Sequence, residues 1–205
     1  MERIENIEKT IGKIEVEIVR LPEDIKVLAI DGRCGAGKTT LAGLLSQRLG
    51  CGVIHMDDFF LPEELRTPER LAEPGGNVHY ERFAEEVLPG LQKEAAFRYR
   101  RFDCKRMALG EEVLVPSGKI RIVEGAYSCH PFFGEYMSLR IFCDIGPEEQ
   151  LRRIRSRNGE EAAAAFAGKW IPMEERYFQA WEVEKKADIL IGPDGGLRGA
   201  GEILS

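Results

Sequence analysis

The sequence predicts a three-layer α/β/α domain, in which helices cover both faces of a five-stranded, mainly parallel sheet that carries a small β-hairpin insertion. Three observations predict it. Short apolar runs alternate with stretches of helical apolar spacing along the whole chain. Residues 32 to 39 read Gly32-Arg33-Cys34-Gly35-Ala36-Gly37-Lys38-Thr39, a complete G-x-x-x-x-G-K-[ST] phosphate loop. Acidic residues then close two later apolar runs, at Asp57-Asp58 and Glu124, on the sheet edge where such folds bind ligands.

The elements follow in order. Glu2 to Thr10 reads as a short amphipathic helix. Ile14, Val16 and Ile18 alternate with Glu15 and Glu17, which predicts a half-exposed edge strand. Asp24 to Asp31, with the apolar Val27-Leu28-Ala29-Ile30, is the strand that feeds the loop. Leu41-Ala42-Gly43-Leu44-Leu45 opens the helix after it. Gly52 to Met56 is a second buried strand. Pro62 to Asn77 is loop-rich, broken by Pro68, Pro74, Gly75 and Gly76. Tyr80 to Leu91 is helical, and Phe97 to Val115 reads as a basic hairpin. Core strands are expected at Ile120–Val123, Leu139–Ile145 and Ala187–Ile191, with an Arg-rich helix after the second of these. Gly192 to Gly201 is a turn or tail. The whole chain, 1–205, is read as one domain. It comprises a helix/strand extension over 1–24, the hairpin insertion over 94–118 and a lid over 148–175.

The phosphate loop has a legible mechanism. Its glycines let successive backbone N–H groups turn toward a polyphosphate, and the next helix points its positive end at the anion. Gly32 to Thr40 are therefore the candidate nucleotide-binding residues, with Lys38 on the outer phosphates. Thr39 offers a hydroxyl to Mg²⁺. Asp57, Asp58 and Glu124 are placed to accept a proton or to hold Mg²⁺, with Glu124 the second candidate metal residue. Arg152, Arg153, Arg155 and Arg157 put two pairs on adjacent helix faces, and guanidinium groups suit the charge spread of phosphoryl transfer. Arg153 and Arg157 are taken as the catalytic pair.

Composition narrows the classes. The net charge is −6, without a basic footprint for nucleic acid. No apolar run reaches membrane-spanning length, and the N-terminus is too charged for a signal peptide, so no membrane partner is expected. The 5 cysteines lack metal-ligand spacing and read as reduced thiols of a cytoplasmic protein. An Asn-Lys-x-Asp element, expected of a guanine-nucleotide switch, is not found.

Several segments together resemble one family. The phosphate loop, His55-Met56-Asp57-Asp58-Phe59-Phe60, Gly76-Asn77-Val78-His79-Tyr80-Glu81-Arg82-Phe83 and Val123-Glu124-Gly125 look like the uridine kinase and phosphoribulokinase family of P-loop kinases. The Arg-rich lid and Ala187-Asp188-Ile189-Leu190-Ile191 match it too, so the resemblance spans residues 25 to 192. It implies ATP and Mg²⁺ as cofactors and a small-molecule acceptor. Asp57 takes the place of the general base, and Phe59 and His79 fall in segments that approach the acceptor. Phe102 and Asp103 fall where true uridine kinases read the pyrimidine, with phenylalanine in place of their tyrosine. Met107 stands near their histidine. The resemblance thus implies phosphoryl transfer from ATP to a nucleoside-like hydroxyl. The alternatives are a nucleoside monophosphate or other metabolite kinase, favoured by Arg98, Arg100, Arg101, Lys105 and Arg106 in the hairpin, and an ATPase without an acceptor. Self-association is left open.

Overall fold

The computed structural model describes residues 2–199. Met1 and the last residues of the glycine-rich end, Ala200 and Gly201 among them, lie outside the described residues. The chain begins with α1 (Glu2–Arg20) and passes through β1 (Lys26–Gly32), α2 (Lys38–Leu49) and β2 (Gly52–His55). Short helices α3 (Pro68–Ala72), α4 (Tyr80–Glu86) and α5 (Leu88–Leu91) come next. They are followed by the hairpin β3 (Phe97–Asp103) and β4 (Ala108–Val115), then β5 (Ile120–Glu124) and β6 (Leu139–Cys143). Three helices, α6 (Pro147–Asn158), α7 (Glu160–Ala165) and α8 (Ile171–Trp181), lead to β7 (Ile189–Ile191). Between α7 and α8 one wider π-turn spans Phe166–Trp170.

The expected sheet forms. Its five strands run in the order β2-β5-β1-β6-β7, and every adjacent pair is parallel. Strand alternation splits the core into two layers. Leu28, Ile30, Ile122, Ile141 and Ile189 pack with Leu41 and Leu45 of α2 and with Ile11, Ile14 and Ile18 of α1. Val27, Val123 and Phe142 face the other way, onto Phe83, Tyr177 and Phe178. Both faces of a parallel sheet must be covered, which is why its strands read as unbroken apolar runs.

The N-terminal expectation is corrected. No edge strand forms at 14–18; α1 is one continuous helix of 19 residues. Ile11, Ile14 and Ile18 repeat at three- and four-residue steps and are buried, whereas Val16 is 46% exposed. An alternating strand would have put Val16 beside Ile14 on the core face. The segment 62–77 also holds more order than expected, with a 3₁₀ turn at Glu63–Leu65 and α3, whose N-cap Thr67 accepts a bond from the Arg70 N–H. The hairpin forms as expected and stands apart as its own two-stranded sheet.

The helical assignment predicts unequal costs along α1. Ile14→Ala should lower the unfolding free energy by about 2–5 kcal/mol, by urea titration. Val16→Ala should change it by no more than about 0.5 kcal/mol. Equal losses at both positions would restore the strand.

Candidate active site

The parallel strands end at a cavity of about 570 Å³, and the phosphate loop forms one end of it. Two glycines make the convergence feasible. Gly32 ends β1 with φ 130°, and a Cβ there would lie 2.1 Å from the Cys143 carbonyl oxygen on β6. Gly125 follows β5 with φ 128°, its Cβ position 2.8 Å from Met56. Lys38 folds back over the loop, its Nζ donating to the carbonyls of Gly32 (2.6 Å) and Arg33 (2.9 Å). Cys34, Gly35, Gly37, Lys38, Thr39 and Thr40 line the cavity, whereas Gly32, Arg33 and Ala36 shape the loop from behind. Burial and the neighbouring Glu174 carboxylate push the Cys34 thiol up to about 12, so it is held as an unreactive thiol.

The strand-end carboxylates meet the loop. The Thr39 hydroxyl lies 3.3 Å from both Glu124 oxygens, and Glu124 Oε1 is 2.5 Å from His55 Nδ1. That bond to Glu124 raises the His55 pKa above the ordinary histidine value. Among the described residues no cluster of three His, Cys, Asp or Glu forms a metal cage. Thr39 and Glu124 are instead hard oxygen donors of the number Mg²⁺ takes from a protein when phosphates and water supply the rest. Asp57 faces the same cavity, and burial raises its carboxyl pKa, a shift that Glu124 adds to and Lys38 opposes.

The arginines divide. Arg153 and Arg157 line the cavity, and Arg153 bonds the carbonyls of Gly35 (3.2 Å) and Pro193 (2.7 Å). Arg152 pairs with Glu149 and Arg155 with Glu160, both at 2.5 Å on the helix exterior. The spacing argument thus separates a cavity pair from a solvated pair.

Other residues singled out from sequence lie beside the cavity rather than in it. Phe59 is wholly buried against Phe83 and Tyr99. His79 precedes α4, and its backbone N–H bonds the Phe59 carbonyl at 2.8 Å. Phe102 is 5% exposed and packs toward Phe60. Asp103 accepts the backbone N–H groups of Lys105 and Arg106, so it caps the hairpin turn. Asp58, grouped with Asp57 in the sequence as a candidate proton acceptor or Mg²⁺ residue, does not line the cavity and is instead a buried anchor: it accepts the Tyr99 hydroxyl (2.7 Å) and Arg101 Nε (2.8 Å), tying the hairpin to the end of β2.

Sequence reasoning missed the contribution of α8. Glu174 is buried and accepts the Cys34 N–H at 2.9 Å; burial raises its pKa. Glu175 takes Arg33 at 2.6 and 3.1 Å, and Asp144 and Glu184 hold the same guanidinium. Tyr177 donates to the buried Asp31 at 2.8 Å. Asp31 also holds the N–H of Tyr127, a non-glycine residue at φ 76° on the cavity wall. Two adjacent glutamates on a helix look like solvated charges, and only their tertiary partners reveal them. Phe60, Cys104, Phe166 and Trp170 also line the cavity, with the Phe60 and Trp170 rings 5.4 Å apart.

Solved structures share this architecture. A protein described as a possible uridine kinase from Bacillus stearothermophilus superposes with a TM-score of 0.67 at 20% identity, over 89% of this chain and 97% of that one. This chain shares that protein's fold. Phosphoribulokinase from Rhodobacter spheroides aligns with a TM-score of 0.54 at 12% identity, over 82% of this chain and 70% of that one. No family model matches the chain, and no curated protein matches it.

The Asp58 anchor predicts a stability loss with a specific partner. Asp58→Ala leaves the Tyr99 hydroxyl buried without an acceptor and should cost about 1–3 kcal/mol. Adding Tyr99→Phe should recover part of that loss in a double-mutant cycle. Additive losses would show that the two side chains are not coupled.

Proposed function

We propose that the protein is an ATP-dependent phosphotransferase that moves the γ-phosphoryl group of Mg·ATP to a hydroxyl of a small, nucleoside-like acceptor. The observation that carries this reading is that Lys38, Thr39, Asp57 and Glu124 line one cavity, with the Thr39 hydroxyl 3.3 Å from the Glu124 carboxylate. In phosphoryl transfer the protein mainly positions reactants and offsets charge. Loop N–H groups and Lys38 bind the donor phosphates. Thr39 and Glu124 would hold Mg²⁺, which when bound neutralises charge on the phosphate oxygens. Asp57 accepts the proton of the acceptor hydroxyl. Arg153 and Arg157 bind the oxygens of the transferred group, and Phe166 and Trp170 help exclude water, the competing acceptor.

A burial-raised carboxyl suits the base role, because its conjugate base is a stronger proton acceptor. The sign of the pH dependence follows. Asp57 works ionised, so kcat falls as pH drops through its pKa, and that acid limb lies above the ordinary aspartate value of about 3.9.

Two variants test the assignment. Lys38→Ala should abolish transfer. Asp57→Asn should still bind Mg·ATP in a calorimetric titration but lose about 10²–10⁴-fold in kcat, and the acid limb with it. A near-normal kcat for Asp57→Asn would remove Asp57 as the base.

A further inference from the structure

The phosphate loop is gripped from outside by α6 and α8. Gln150 of α6 donates to the Cys34 carbonyl at 3.0 Å, and Glu175 of α8, with Asp144 and Glu184, surrounds the Arg33 guanidinium. The backbone N–H groups of the same stretch end in different places. That of Arg33 bonds the Cys143 carbonyl on β6 at 3.1 Å, and that of Ala36 closes a turn onto the Arg33 carbonyl at 3.2 Å. The Cys34 N–H ends on the Glu174 carboxylate at 2.9 Å, and both residues line the cavity.

A buried carboxylate is a costly choice for a simple tie between helix and loop. Burial disfavours the charged form of Glu174, while Lys38 and the Cys34 N–H favour it. Lys38 does not bond it, because its Nζ donates to the Gly32 and Arg33 carbonyls. Nor does α8 need Glu174 to reach the loop. Glu175 already binds Arg33, and Tyr177 already donates to Asp31. What a carboxylate shares with a phosphate is its negative charge and its oxygens, which accept the same N–H groups.

We infer that Glu174 is an internal competitor of the phosphate donor: its carboxylate holds the Cys34 N–H until a phosphate displaces it, and α8 is thereby loosened from the loop. The inference rests on the phosphotransferase reading only in that the loop binds a polyphosphate. A carboxylate and a phosphate that converge on one N–H repel each other, and the repulsion is strong where water is excluded. Removing the Glu174 charge therefore tightens phosphate binding. Removing a purely structural tie would weaken it.

Inorganic tripolyphosphate and Mg·ATP, titrated calorimetrically without any acceptor into the native chain, Glu174→Gln and Glu160→Gln, test this. Glu160 is an exposed partner of Arg155, so its variant removes the same charge away from the cavity. The Kd of both ligands should fall about tenfold in Glu174→Gln and change less than about twofold in Glu160→Gln. Hydrogen exchange on the native chain gives a readout that needs no variant. Tripolyphosphate should slow exchange over residues 33–40 and speed it about threefold over 171–178, where α8 has lost one tie. An unchanged or raised Kd in folded Glu174→Gln, or slowed exchange over both segments, would overturn the inference and leave the kinase reading intact. Tighter binding in Glu174→Gln, with no phosphoryl transfer to any alcohol, would uphold the inference and sink the kinase reading. Failure of both ligands to bind any of these chains would overturn both.

Discussion

The Asp31 carboxylate, at the end of the central strand, ties together the segments that make the cavity. It is fully buried and accepts the N–H groups of Gly32, Tyr127 and Cys129 and the hydroxyl of Tyr177. Those donors belong to the start of the phosphate loop, the turn after β5 and helix α8. Hydrogen bonds to a buried carboxylate are among the stronger ones in proteins, and an unsatisfied one is costly. The position of the loop relative to Glu124 and to the lid therefore depends on one side chain that does not itself line the cavity.

From that anchor the two ends of the cavity acquire different characters. The loop end holds Lys38 and Arg153, with the Glu174 carboxylate bonded to the Cys34 N–H. The other end is assembled from the β2 terminus, the tip of the hairpin and the π-turn before α8. Helix α8 begins immediately after Trp170 and holds Cys34, Arg33 and Asp31 through Glu174, Glu175 and Tyr177. The phosphate loop and the cavity wall that holds Trp170 are thus linked through one helix. Insertion of an extra residue into a helical turn, as in a π-turn, is a recurrent way to aim side chains at a functional site.

What is legible in the sequence is mostly local. The loop motif, the apolar strands and the acids closing them are each carried by a few adjacent residues, so Lys38, Thr39, Asp57 and Glu124 come together as their positions suggest. The four-arginine run divides into a cavity pair and a solvated pair because helical spacing alone separates 153/157 from 152/155. Local pattern fails where a short window admits two periods. Ile14, Val16 and Ile18 fit a strand over five residues, and only the wider series from Ile7 through Ile18 favours the helix. Resemblance draws Phe102 and Asp103 toward the acceptor, but the hairpin's own needs place one in the core and the other on the turn. The α8 contacts link residues more than a hundred positions apart and leave no trace in local pattern.

The account turns on the fate of the γ-phosphoryl group. Incubating the protein with γ-labelled Mg·ATP and a mixture of neutral small-molecule alcohols, nucleosides included, then separating the products, reports that fate directly. The account predicts label in an organic phosphate ester, formed by the native chain and not by Lys38→Ala. Label found solely in inorganic phosphate, at the same rate with and without the alcohols, would contradict it.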